Sequence, residues 1–459
     1  MIYKCIKCEQ TSPDINALYT LCKKCGHLSH KIDGIPVLLE DFEIYISKKL
    51  IQYKLGIDDL NTQKETFSKL NNDEITAEID RRIALFNEFK NQLTPHGRID
   101  AVINAVSSHS HTGYSLSYEY LLRDWSGLKE CEDEIKIIVD ALKSKLTPKH
   151  SNALVLGAGL GRIALELKDC FNHLIAIDLS YEMPALLQKI SKQPYSFTYY
   201  LKKNYSTPTN TLLHIAIKEE LVRKLLQNKT GTLFDYFVAD VKNLPLSNHT
   251  VDCIISCYFT DTLAIQDYFS EIDRVLSTGG SFIHFGPLDY HFTDPIHQLS
   301  LQELHEYFKS KGYKIESYTP LFMEHITLNI NAKKTIYKNW FFKAIKTSSL
   351  ETLKNSDVLL IPTEIQIQIN ASLPNNDDTP AIKEVVLSSP RLKTFECTLD
   401  TVNVLQKING IRTVSEIFNE LEQEYALDQE TYNNTLLLLT DFVNKGYIIK
   451  LNPKSTCET

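Results

Sequence analysis

An apolar strand that runs straight into a glycine loop and then a helix constrains this chain more than any other feature. Leu154-Val155-Leu156-Gly157-Ala158-Gly159-Leu160-Gly161-Arg162 is followed at once by IALELK. Glycines at alternate positions let a ligand approach the backbone where a side chain would stand in the way. An ordinary strand-to-helix turn can look the same, so the neighbouring elements must decide. From Asn152 to about Lys346, short apolar strands (HLIAID, VDCIISCYF, GGSFIHFGP) alternate with amphipathic helices, which predicts an α/β, Rossmann-like sheet.

HLIAID ends in Asp178, 17 residues beyond Gly161. An acid at the end of the second strand can accept hydrogen bonds from both hydroxyls of a ribose. Dinucleotide enzymes use the same device, so Asp178 alone does not choose the cofactor. Asp240, in YFVADVKNLPL just before VDCIISCYF, stands where class I methyltransferases place an acid beside the adenine amino group. RVLSTGGSFI, with its glycine pair, then precedes the expected fifth strand. Together these point to S-adenosylmethionine as cofactor.

Four stretches carry a likeness to a known family: LLRDWSGLKE at 121–130, VLGAGLGR at 155–162, DCIISCYFTDT at 252–262 and HFGPLDYHF at 284–292. In this order and spacing, over about residues 117–346, the chain resembles the carnosine N-methyltransferase family. The resemblance implies that Arg123 and Arg162 contact the cofactor, with Gly157, Gly159, Gly161, Asp178, Asp240, Val241 and Cys257 lining its site. Cys257 reads equally as a small buried strand residue. Tyr120 departs from the family, which commonly has glutamine there. The nucleophile of the family is a histidine imidazole in a dipeptide. Asp261 matches the residue that binds the imidazole, and His291 a second substrate contact; Asp261 also suits an N-cap for a helix starting near Leu263. Asp289 replaces an apolar residue of the family's pattern. In TIYKNWFFKAIK, Tyr337 aligns with one substrate tyrosine, while the other two tyrosine positions fall on Thr335 and His325. The imidazole-binding part is thus retained and the dipeptide-binding part altered, so carnosine itself is not the expected acceptor.

The ends of the chain are of different character. Cys5-x2-Cys8 and Cys22-x2-Cys25 have the spacing of a closed, structural zinc site, which predicts a zinc ribbon over residues 1–42. Such a site has no open position, so its expected work is folding and docking; His27 and His30 read as surface residues. Residues 43–148 read as a helical connector that includes the RDWS motif. In IDRRIALFNEFKNQL, for example, Ile79, Ile83, Phe86, Phe89 and Leu93 share one face. The α/β methyltransferase domain follows over 149–348, with an Asn/Lys-rich insertion at Ser191–Thr211. Residues 349–459 read as strands EIQIQIN and IKEVVL, then three helices and YIIKL, a winged helix. Thr413-Val414-Ser415-Glu416 is a capping box. This segment resembles the recognition modules that bind leader peptides of ribosomally made, modified peptides; a generic dimerisation or DNA-binding winged helix has the same pattern.

A formal net charge of −8 over 459 residues and the acidic run NELEQEYALDQE disfavour nucleic acid as a partner. No run of apolar residues is long enough for a membrane span. Paired CxxC motifs beside scattered cysteines suit a reduced compartment, so the cytoplasm is expected. The leading expectation is an S-adenosylmethionine-dependent N-methyltransferase acting on a histidine imidazole in a peptide or small protein held partly by the C-terminal module. The alternatives are a small-molecule enzyme for a carnosine-like dipeptide or amine, an RNA modifier, and an inactive peptide-binding protein.

Overall fold

The computed structural model describes residues 2–8, 10–12, 16, 21–69, 73–97, 116–146, 152–200, 212–227, 231–316, 319–329, 334–347, 353–372, 381–389, 392–397, 399–425 and 429–451. The chain divides into two compact units, Met1–Thr347 and Ser348–Thr459.

The first unit is organised by a sheet of ten strands among the described residues. Its centre is the strand Asn152–Leu156, flanked in parallel by His173–Asp178 and Val251–Cys257. Leu233–Ala239 and Leu276–Gly286 lie parallel beyond these. Ile336–Lys346 then runs antiparallel to Leu276–Gly286. The central strands are buried almost throughout, as strands covered by helices on both faces must be. One face carries the helices Phe42–Lys69, Asp73–Leu93 and Glu182–Lys192, while Ile265–Val275 and Leu301–Ser310 cover another part of the core.

The sheet also takes in the N-terminal segment. Ile35–Leu38 pairs in parallel with Leu233–Ala239, Val37 opposite Val238 and Leu38 opposite Ala239. His30–Ile32 completes a hairpin at that edge. Residues 30–32 and 35–38 are therefore strands of the α/β sheet. His30 is no free surface residue: its ring stacks on Phe42 with centroids 3.5 Å apart, and both His27 and His30 are half-buried. In the helix Asp73–Leu93, Ile79, Phe89 and Leu93 are buried, while Ile83 and Phe86 pack at the margin of the core. Of the Asn/Lys-rich run, Ser196–Tyr200 forms a strand paired with Leu212–Ala216, and residues 201–211 lie outside the described residues.

In the second unit, Gln366–Ser372, Ala381–Ser389 and Leu392–Cys397 form an antiparallel meander with Ala381–Ser389 in the middle. The strand containing IKEVVL is thus paired on both sides. The helices Leu399–Gln406, Val414–Glu424 and Gln429–Lys445 follow. Thr413 and Glu416 form the expected reciprocal cap. Leu439 and Phe442 are fully buried with Ile417 and Phe418, Leu436 and Val443 pack at the edge of this core, and Gly446 has φ 85°. No helix among the described residues is long and apolar enough to cross a membrane.

Candidate active site

The strand Asn152–Leu156 ends in three glycines whose φ values of 55°, 56° and 78° lie in the left-handed region. A Cβ on Gly157 would meet the Phe259 ring at 2.4 Å. Gly159 faces open space on its Cβ side and so leaves room for a ligand against the backbone. A Cβ on Gly161 would meet Leu187 at 2.7 Å; that glycine serves helix packing. Asp178 ties the loop to the next one: it accepts from Gly159 N at 2.9 Å and from Ser180 N at 2.8 Å. Burial pushes its carboxyl above the ordinary range. Each carboxylate oxygen keeps a further lone pair for a ribose hydroxyl.

A cavity of about 380 Å³ opens at the carboxyl ends of these strands, where ligands of open α/β sheets bind. Gly157, Gly159, Asp178, Asp240, Val241, Cys257, Arg123 and His291 all line it. The candidate site residues Gly161, Arg162, Asp261 and Tyr337 are not part of its wall. The Asp240 carboxylate accepts from Lys242 N at 2.8 Å, which fixes it at the mouth of the loop. Burial pushes the Cys257 thiol up to about 12, so it stays a neutral, small side chain.

The helix Tyr118–Trp125 packs over the glycine loop. Trp125 Nε1 donates to Leu160 O at 3.1 Å, and Arg123 Nε donates to Asp124 at 2.7 Å. The Arg162 guanidinium is held by both Glu132 oxygens at 3.0 and 2.8 Å, by Glu166, and by Asp124 O at 2.6 Å. Five donors are matched to acids and a carbonyl on surrounding helices, so Arg162 braces the RDW segment from behind.

Asp261 is 5% exposed, and its Oδ1 has no hydrogen-bond partner among the described residues. It does not cap a helix, because the helix Ile265–Val275 has Ala264 at its N-cap without a side-chain bond. Burial raises its carboxyl to about 6; His291 pulls against this and Asp289 adds to it. The loops are joined by His291 N donating to Asp261 O at 2.9 Å. Tyr120, on the cavity wall, feels the charges of both Arg123 and Asp261. Tyr337 is half-buried, stacked on His325 with centroids 4.7 Å apart, and also lies in the field of Asp261 and Asp289.

Sequence reasoning missed the support behind the Asp178 loop. Tyr45, Lys49 and Tyr53 recur every four residues on one face of the helix Phe42–Lys69. Tyr45 Oη donates to Leu179 O at 2.6 Å and accepts from Tyr181 N at 3.0 Å. Lys49 and Tyr53 both reach Glu182, at 2.9 Å, and Lys49 and Glu182 are wholly buried. The polar spacing was visible, but its partners lie more than 120 residues away.

At the other end of the unit, the sulfurs of Cys5, Cys8, Cys22 and Cys25 all lie within 4.8 Å of one another. Cys5 and Cys25 are 3.8 Å apart, Cys8 and Cys22 3.5 Å. A tetrahedron with metal–sulfur bonds of roughly 2.3 Å has edges of about 3.8 Å, so the cluster fits one ion. The cluster's strand docks on the segment after Asp240: Lys4 N donates to Pro245 O at 3.1 Å, and Ser247 N to Ile2 O at 2.7 Å.

A mainly parallel sheet in which Ile336–Lys346 and the edge strand His30–Ile32 run antiparallel, with Asp178 and Asp240 at neighbouring strand ends beside a glycine cradle, defines a Rossmann-like methyltransferase domain. Comparison with known proteins then gives the family. The carnosine N-methyltransferase profile matches residues 103–348, and the chain belongs to that family. It is similar to the carnosine N-methyltransferase of Rattus norvegicus, with 27% identity over 42% of this chain and 53% of that protein. It is also similar to that of Dictyostelium discoideum, with 29% identity over 41% and 43%. The chain thus spans about half the length of the curated relatives it matches. Among solved structures, a SAM-dependent methyltransferase of Methanosarcina mazei aligns with a TM-score of 0.30 and 16% identity, over 45% of this chain and 96% of that one.

Proposed function

We propose that this chain transfers a methyl group from S-adenosylmethionine to the imidazole of a histidine within a peptide. The observation that carries the reading is Asp261, a buried carboxylate with an unpartnered oxygen beside the cofactor cavity. Asp178 would hold the ribose hydroxyls, Asp240 the adenine amino group, and Arg123 the wall between cofactor and acceptor. When bound, the cofactor supplies a methyl group on a sulfonium, which needs an unprotonated nitrogen in line with it. Asp261 can accept the N–H of one imidazole nitrogen, leaving the lone pair of the other free to attack, and its charge stabilises the imidazolium that forms. His291, across the loop, completes the acceptor pocket with Tyr337. The second reading, a carnosine-like dipeptide as acceptor, is supported by the family match.

The four-cysteine cluster is read as a structural zinc site that holds the ribbon against the segment following Asp240. Elemental analysis of chelator-free protein is expected to find about one zinc per chain, and finding none removes the metal. The second unit is read as a winged-helix module for the acceptor peptide. A bound segment would add a strand to an open edge of the meander, Gln366–Ser372 or Leu392–Cys397, and tethering would raise the local acceptor concentration. The negative net charge disfavours RNA, and a reduced cytoplasm suits the free thiols.

The test is fragmentation mass spectrometry of a histidine-containing peptide methylated by the full chain and by a chain ending at Thr347. The methyl is expected on the imidazole, and the shortened chain is expected to show a raised KM on the peptide but not on carnosine. A methyl on arginine, lysine or a carboxylate overturns the acceptor assignment. Equal KM values on the peptide overturn the role of the second unit.

A further inference from the structure

Two residues near the acceptor side of the cavity hold backbone conformations that side chains disfavour. Tyr258 has φ 53° and Ile326 φ 46°. A left-handed conformation is unfavourable for an L-residue because Cβ crowds the following carbonyl, and such positions persist only where surrounding contacts enforce them. At Ile326 the enforcing group is Glu134, buried on the helix Lys129–Lys145. Glu134 Oε2 accepts from Ile326 N at 2.8 Å, while Oε1 takes His325 Nδ1 at 2.9 Å.

The strained turn aims the His325 ring. It stacks on Tyr337 at 4.7 Å with 21° between planes, lies 4.9 Å from Tyr258, and has Tyr120 at 6.5 Å. Tyr258 and Tyr120 belong to the cavity wall. A carboxylate can only accept, so Nδ1 carries the proton in the neutral ring and Nε2 presents a lone pair. Nε2 makes no hydrogen bond among the described residues, although His325 is only 9% exposed. A carboxylate-oriented imidazole next to a strained residue and between aromatic rings, with its acceptor atom unused, has more fixing than packing requires.

We infer that His325 is a specificity-determining residue: its Nε2 accepts a hydrogen bond from a backbone N–H flanking the target imidazole of the acceptor peptide, and Glu134 is the positioning residue that sets its tautomer. This rests on the imidazole reading above. It makes the enzyme a reader of the peptide group next to its histidine, which a bare imidazole lacks.

The experiment compares N-acetyl-histidine-amide with 4-methylimidazole as acceptors for wild type, His325→Ala and Glu134→Gln. Both variants are expected to raise KM for the amide by about five- to tenfold, the loss of one hydrogen bond. Cofactor affinity and kcat/KM for 4-methylimidazole are expected to stay unchanged. Glutamine at 134 has a single acceptor oxygen for two donors, so ¹⁵N NMR should show His325 protonated at Nδ1 in wild type and at Nε2 in Glu134→Gln. Equal losses on both acceptors, or no loss on the amide, overturn the inference while leaving imidazole methylation standing. If wild type methylates neither compound, the imidazole reading itself fails, and this inference with it.

Discussion

Asp261→Asn is expected to lower turnover about 100-fold, roughly 2.7 kcal/mol in the barrier, and at the same time to make the protein more stable at neutral pH. The first effect follows from losing the charge that stabilises a developing imidazolium; the amide can also turn a donor toward the ring. The second follows from burial. The Asp261 carboxyl is raised from an ordinary 3.8 to about 6. Between those values the folded protein holds a proton that the unfolded chain releases, so stability falls as pH rises through that window. Above pH 6 the buried charge destabilises the fold by on the order of 3 kcal/mol, and an amide of the same shape removes most of that. Wild-type kcat/KM is expected to rise as pH increases through about 6, where the carboxylate forms, and in the variant only the rise from deprotonation of the acceptor imidazole itself, near about 6.5, should remain. Turnover against pH and thermal melts at pH 5 and 8 check both. A variant that is less stable at pH 8, or that keeps wild-type turnover, would return Asp261 to a purely structural role.

The parts of the site that were legible in the sequence are those fixed by local chain geometry. A strand, a glycine loop and an acid at the next strand end all fall between Asn152 and Asp178, and Gly157, Gly159 and Asp178 come together at the cavity. Asp240 is similarly local to its strand. For Arg162, its position beside the glycines says where its Cα lies and not where a long side chain goes; Glu132 and Glu166 decide that. The capping alternative for Asp261 also depended on where a helix begins, a boundary that sequence locates poorly. The Val37–Val238 pairing that joins the strand Ile35–Leu38 to the sheet, and the Glu134–His325 contact, are tertiary facts. Periodicity along either segment carries no information about a partner 201 or 191 residues away.

Lys49→Met is the substitution expected to affect the fold most. The Lys49 ammonium is wholly buried, 2.9–3.0 Å from both oxygens of Glu182 and 2.9 Å from Gln52. Methionine fills the methylene volume but leaves the Glu182 charge sealed in the protein with, among the described residues, only the Tyr53 hydroxyl bonded to it. Breaking one side of such a pair destabilises by roughly 3–5 kcal/mol, a large share of the stability of an ordinary domain. The loss should reach function as well, because Glu182 opens the helix that follows Leu179 and Ser180 on the cavity wall. A weaker cofactor affinity is therefore expected at temperatures where the variant is still folded. Adding Glu182→Gln removes the orphaned charge, so the double variant should recover most of the lost stability, although the grip on the loop stays looser. Denaturant titration of both variants, with calorimetric cofactor titration, separates these effects. If Lys49→Met alone lowers stability by less than about 1 kcal/mol, water reaches the pair. The helix Phe42–Lys69 would then not brace the cofactor loop. Because that helix lies outside the family-matched residues 103–348, the confirmed effect would show a cofactor site completed by a segment the family match does not include.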